Sequence, residues 1–205
     1  MPSIQVQRLT VGEMAVNCYI VENTQTRECV IVDPGADADR IIRSVGEQKP
    51  AAVLLTHGHF DHIGAVDAVC SHFQIPLYVH EGDAAKLTDP ETNVSRLFGR
   101  PVVQNTQPVL LHGGEVLELA GITLQVLHTP GHSAGGVCYV LPDGQGILTG
   151  DTLFANGYGR TDFADGDLGT LYKSLRMLMR LSPRQTSYPG HDAFGMVGRG
   201  ETEEH

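Results

Sequence analysis

Apolar and polar positions alternate over residues 4–10, the period of a half-buried strand. Two apolar stretches, 17–21 and 29–32, flank the polar run 22–28 as in a hairpin. Asp33-Pro34-Gly35 stops the second of them. Residues 38–45 have helical spacing, and Pro50 ends the connection that follows. The run 51–56 is short, apolar and bounded by turn signals, which predicts a buried strand. A polar loop, 57–61, leads into 63–73, where Ile63, Val66, Val69 and Phe73 recur at helical intervals, and 75–79 is again strand-like. This order is α/β architecture. Residues 81–108 show no clear period and predict a short helix with a surface excursion. Strand patterns resume at 116–119, 122–127, 137–141 and 147–149. Residues 168–181 predict an amphipathic helix with Leu171, Leu175, Leu178 and Leu181 on one face, and 185–188 a last strand. With no repeat, low-complexity tract or linker, one domain over residues 1–205 is expected.

Composition adds exclusions. An apolar share of 41% with 19% charged residues belongs to an ordinary globular protein. No run approaches the roughly 18 apolar residues that span a bilayer, so no membrane partner is expected. The start, from Met1, has no basic region followed by an apolar core, which predicts a cytoplasmic protein. A net charge of −10 opposes nucleic-acid binding, which needs a basic surface. Cys18, Cys29, Cys70 and Cys138 are far apart and form no C-x-x-C pair, so they are read as reduced core residues and not as a thiolate metal site.

The segment His57-Gly58-His59-Phe60-Asp61-His62 changes the picture. Three imidazoles and a carboxylate within six positions are costly to bury unless something pairs with them, and His with Asp suits zinc, iron and related ions. His57 and His59 share one side of an extended loop and can bind one ion; Asp61 and His62, at the turn into the helix, can serve a second. A single H-x-H would read as chance histidines on a polar surface loop. Here Thr129-Pro130-Gly131-His132-Ser133, Thr149-Gly150-Asp151-Thr152 and Tyr188-Pro189-Gly190-His191-Asp192 repeat the design of strand, glycine and donor. Six of the seven donors directly follow an apolar strand, and His132 comes a few residues later. Loops converge on sites at such strand ends. His72, His80, His112, His128 and His205 lack the glycine-loop context and receive no role.

In order and spacing, H-x-H-x-D-H, T-P-G-H-S, G-D-T-L-F and P-G-H resemble the metallo-β-lactamase superfamily over nearly the whole chain, and its glyoxalase II (hydroxyacylglutathione hydrolase) branch in particular. The resemblance implies a four-layer αββα sandwich with the site at one edge between the sheets. It places His57, His59 and His132 on one divalent metal, Asp61, His62 and His191 on a second, and Asp151 between them. Zinc is the expected ion, with iron or manganese as alternatives. Asp33 is expected to orient a ligating imidazole.

The expected reaction is hydrolysis. Two cations about 3.5–4 Å apart hold a water and bring its pKa toward neutrality, and the hydroxide attacks a carbonyl carbon while Asp61 carries the proton to the leaving group. The tract Gly157-Tyr158-Gly159-Arg160-Thr161-Asp162 resembles the family's substrate-side loop, making Tyr158 and Arg160 candidate substrate contacts. Arg160 either clamps an anionic substrate group or pairs with Asp162 or Asp165. Full-length glyoxalase II enzymes carry a helical domain after the metal site and a tyrosine two positions past the last metal histidine. Here that position is Ala193 and the chain ends at His205, so the resemblance is to compact glyoxalase-II-like hydrolases acting on a small thioester. A monomer or small homo-oligomer is expected. The alternatives are a mononuclear-iron persulfide dioxygenase, using His57, His132 and Asp151, and a non-catalytic metal-binding module.

Overall fold

The computed structural model describes residues 3–181 and 184–197; Met1 and His205, named above, lie outside them. Two six-stranded sheets stand face to face. The first runs in the order β1 (Ile4–Val11), β2 (Val16–Asn23), β3 (Glu28–Val32), β4 (Lys49–Leu54), β5 (Leu77–His80) and β6 (Pro108–Leu111). Its first three strands are antiparallel and the rest parallel. The second contains β7 (Val116–Leu119), β8 (Ile122–His128), β9 (Val137–Val140), β10 (Ile147–Gly150), β11 (Gln185–Pro189) and β12 (Gly195–Val197), with β10 and β11 its parallel pair. Helices α1 (Ala38–Val45), α2 (Phe60–Ile63) and α3 (Val66–Phe73) follow strands of the first sheet, and α4 (Leu168–Leu178) precedes β11.

Side-chain alternation explains the layering. On β2 and β3, Cys18, Ile20, Cys29 and Ile31 pack with Ile41 of α1 and Val66 and Val69 of α3. Their neighbours Tyr19, Val21, Val30 and Val32 face Ile122, Leu124, Val126 and Tyr139 of the second sheet. Both faces of these strands are covered, which is why they read as continuous apolar runs. A third core joins Cys138 and Ile147 to Leu178 of α4. Helix, sheet, sheet and helix therefore stack in four layers, the αββα sandwich of a single α/β domain.

Several boundaries differ from those expected. The predicted helix 63–73 is divided: α3 starts at Val66, and Asp61 and His62, expected at the turn into the helix, lie on a separate short turn, α2. Gly64 lies between them, where a Cβ would sit 2.3 Å from the Gly35 carbonyl oxygen, so the break is a close backbone crossing. Pro50 lies inside β4 and does not precede it. Strands β6 and β12 were not predicted. Both are sheet edges whose existence depends on backbone pairing, and Val109 and Leu110 of β6 are exposed, so no burial period marks them. Helix α4 stops at Leu178, short of Leu181.

The sheets are tied together where β3, β4, β10 and β11 end. Tyr139 Oη donates to the Leu55 carbonyl (2.7 Å), and Val137 N–H to the Thr56 carbonyl (2.8 Å). Tyr19 Oη donates to the Pro189 carbonyl (2.7 Å), and Asn17 N–H to that of Gly190 (2.7 Å). All the glycine-flanked donor segments emerge along this edge.

Candidate metal centre

Just beyond β3, Asp33 sits in the left-handed region (φ 51°), a conformation that aspartate visits at modest cost. Its carboxylate accepts from Thr56 N–H (2.8 Å) and Thr56 Oγ1 (2.6 Å), holding the exit of β4. It also contacts His62 Nδ1 at 2.9 Å. With Nδ1 engaged there, His62 presents Nε2 to the cluster. The extended segment after β4 turns His57 and His59 toward the same point, while α2 carries Asp61 and His62 to an adjacent one.

His132 reaches the cluster from the loop after β8, with Nδ1 2.7 Å from the Arg160 carbonyl, so that ring nitrogen bears the proton and Nε2 faces inward. The rings of His57, His59 and His132 lie 4.7–4.8 Å apart pairwise, and His59 Nδ1 is 3.0 Å from His132 Nε2. Asp61 Oδ2 lies 3.3 Å from His191 Nε2 and 3.8 Å from His62 Nε2. Asp151, directly after β10, sits between the two groups. Its Oδ1 is 3.4 Å from His62 Nε2, and its Oδ2 is 3.4 Å from His132 Nε2 and 3.6 Å from His191 Nε2. All seven sequence-predicted donors are thus brought together, as two trios with a carboxylate between them.

The donor set fits metal ions. His57 Nε2, His62 Nε2 and Asp151 Oδ1 are buried and have no hydrogen-bond partner among the described residues. An unsatisfied buried polar atom costs about 1–3 kcal/mol, and a divalent cation satisfies imidazole and carboxylate together. Electrostatics separate the trios. Burial, then the neighbouring imidazoles, lowers the His57 pKa well below its usual value and that of His59 to about 3. Burial also opposes charge on His62, but Asp151, Asp61 and Asp33 outweigh it and hold the pKa well above the ordinary one. Around Asp151 the cost of burial is outweighed by His62, His132 and His191, so its carboxyl stays well below the usual range.

A cavity of about 290 Å³ opens over the cluster, walled by Met14, Phe60, Phe98, Phe154 and Phe163. Arg160 lies on its rim, with Nε and Nη2 each 2.6 Å from an oxygen of Asp162 and the guanidinium 4.4 Å over Phe163. Of the two alternatives for Arg160, the pair with Asp162 is therefore formed. That bond holds the Asp162 pKa down to about 2. Tyr158 is not brought to this cavity: its hydroxyl meets that of Tyr172 (3.0 Å), and it lines a neighbouring hollow with Phe154, Asn156 and Asp192. His80 stacks on His128 with centroids 4.0 Å apart, and neither belongs to a donor group. The four cysteines are free and buried, as expected, and burial pushes the Cys29 and Cys70 thiols up to about 12.

Residues 11–191 match the sequence model of the Metallo-beta-lactamase superfamily. The chain belongs to this superfamily. Among relatives, it is 36% identical to the Probable metallo-hydrolase YqgX of Bacillus subtilis over 88% of this chain and 86% of that one. It is 30% identical to the Hydroxyacylglutathione hydrolase GloC of Haemophilus influenzae over 96% and 94%. The crystal structure of BLEG-1 B3 metallo-beta-lactamase superposes with a TM-score of 0.90 at 38% identity, covering 94% of both chains. That of TTHA1623 in a di-iron-bound form superposes at 0.82 with 33% identity, covering 92% and 93%. Membership of this superfamily supports a metal-dependent hydrolase, and the His/Asp cluster suggests a dinuclear site. Asp83, Lys86 and the hydroxyl of Thr56, which touch the ligand loops, carried no signal in the sequence. The first two lie in the stretch without a period, and Thr56 reads as the end of a strand.

Proposed function

We propose that the protein hydrolyses small α-hydroxyacyl thioesters at a dinuclear metal centre. The observation that carries this reading is the placement of Asp151 within 3.4–3.6 Å of nitrogens from both trios, which suits one carboxylate shared by two ions. His57, His59 and His132 would hold the first ion and Asp61, His62 and His191 the second, with zinc the resident metal and iron or manganese as substitutes. When bound, such a pair supplies hydroxide at neutral pH and polarises a carbonyl.

The remaining work falls to this chain. Asp33 fixes the tautomer of His62, and the Arg160 carbonyl fixes that of His132. Asp61, whose side chain is 13% exposed at the cavity floor, carries a proton to the departing thiolate. The aromatic wall excludes water around the acyl group. Arg160 meets a substrate anion only by exchanging Asp162 for it, because both of its fork nitrogens are engaged. The relationship to GloC supports the thioester class. A cytoplasmic monomer or small oligomer acting on a small molecule completes the proposal.

Elemental analysis and a substrate panel test it together. Up to two transition-metal ions per chain are expected, with cleavage of simple hydroxyacyl thioesters and weaker use of S-lactoylglutathione. A single iron, with oxygen consumption on glutathione persulfide and no thioester cleavage, overturns the hydrolase in favour of a dioxygenase. β-Lactam or lactone cleavage alone moves the substrate class.

A further inference from the structure

The 3-10 turn Glu81–Leu87 touches the metal centre from behind, outside the cavity. Asp83 in it is fully buried, at 0% exposure. One of its carboxylate oxygens accepts from Gly58 N–H (2.7 Å) and the other from Gly135 N–H (2.7 Å). Gly58 lies between His57 and His59, and Gly135 belongs to the loop that carries His132. One carboxylate therefore joins the two loops whose imidazoles form the first trio. Neither glycine has room for a side chain: a Cβ on Gly58 would lie 2.8 Å from Lys86 Cβ, and one on Gly135 would lie 2.4 Å from Asp83 N. The turn meets both loops at backbone distance.

A buried carboxylate needs a countercharge. Lys86 provides it, 4% exposed, with Nζ 3.6 Å from Asp83 Oδ1 and 2.5 Å from Asp165 Oδ2. Asp165 Oδ2 also accepts from Ala134 N–H (2.9 Å), so the second acid grips the His132 loop as well. Asn93 extends the assembly to α2, donating from Nδ2 to the Lys86 carbonyl (2.8 Å) and accepting from Phe60 N–H (3.0 Å).

We propose that Asp83 is a positioning residue that sets the spacing of His57, His59 and His132 for one metal ion, with Lys86 and Asp165 holding its charge in place. The inference rests on the metal assignment above but not on the substrate. It forecasts that loss of Asp83 loosens the ion of the first trio selectively, whereas a purely structural role would lower stability and leave the affinity of the folded protein intact.

The test uses the full chain with Asp83→Asn, whose amide keeps the shape and loses one acceptor. Zn2+ affinity is measured by chelator competition, NMR of the histidine rings reports which trio is emptied, and melting temperature is followed in parallel. The expected result is a loss of about 10- to 100-fold in affinity at the first trio, the usual scale for partners behind a ligand, with the second trio little changed. Unchanged affinity at the first trio, or equal loss at both, overturns the proposal whatever happens to the melting temperature. If Asp83→Asn does not fold, Asp165→Asn replaces it, at a side chain 31% exposed. A smaller loss, again confined to the first trio, is then expected, and no loss overturns the proposal.

Discussion

His57, His59 and His132 are buried among imidazoles, glycine loops and backbone carbonyls, with His59 and His132 lining the cavity, while His62 and His191 stand among Asp33, Asp61 and Asp151, His62 fully buried and His191 at the cavity. The same residue type is driven in opposite directions by these surroundings. Burial and neighbouring rings push His57 and His59 toward the neutral form; carboxylates hold protons on His62 and His191 against burial. The first trio is thus a cradle of nitrogen donors, two of them driven toward the neutral form, and the second adds the anionic oxygen of Asp61. Two ions in one cluster need not be held alike, because charge and exposure differ over a few ångströms.

Asp151→Ala should have the largest effect. As the donor between the trios, its removal should cost both ions and reduce turnover by more than the roughly 10- to 100-fold typical of a residue behind a ligand. His191→Ala should empty only the second trio. Metal content and kcat of the two variants check this, and equal losses from both would break the division between trios. Next comes Asp33→Asn, which weakens the grip on His62 and should lower second-trio affinity about 10- to 100-fold. Its Thr56 contacts also steady the exit of β4, so melting temperature is read beside chelator competition.

Arg160 serves the first trio through its carbonyl and the cavity through its side chain, so Arg160→Ala separates the two roles. If the guanidinium leaves Asp162 to bind a substrate anion, KM should rise and kcat/KM fall about ten- to hundredfold, for a charge-assisted bond of roughly 1.5–3 kcal/mol, with metal content unchanged. A lower melting temperature with unchanged KM assigns it to the Asp162 pair alone.

The smallest effect is a titration of metal-free protein. The His59 pKa is depressed to about 3, so the unfolded chain takes up that proton first. Its stabilising contribution is full above the usual histidine value and is lost as pH falls from about 6.5 toward 3. His62 behaves oppositely: its pKa is raised, so its contribution is full below about 6.5 and disappears as pH rises through the folded value. Ring 15N shifts at neutral pH should show His59 neutral and His62 protonated. Both rings titrating together near 6.5 would remove the electrostatic contrast.

Much of this could be read from the sequence because the signals are local. The apolar runs of β2, β3 and β4 reflect strands covered on both faces, and each donor of the cluster follows a strand within a few residues. The order H-x-H-x-D-H, then His132, Asp151 and His191, sufficed to place the chain in its superfamily. Tertiary structure decided what depends on distant partners. Pairing across sheet edges created β6 and β12, which have no burial period of their own, and the backbone crossing at Gly64 divided the predicted helix. It decided too that Arg160 is engaged by Asp162, while Asp165 turns instead to Lys86. Asp83 shows the limit most plainly. A lone aspartate in an unpatterned segment gains a role only when folding brings Gly58 and Gly135 to its two oxygens, from 25 and 52 residues away along the chain. Periodicity and ligand motifs are carried by neighbours in sequence; the pairing of buried polar groups is set by whatever backbone arrives beside them.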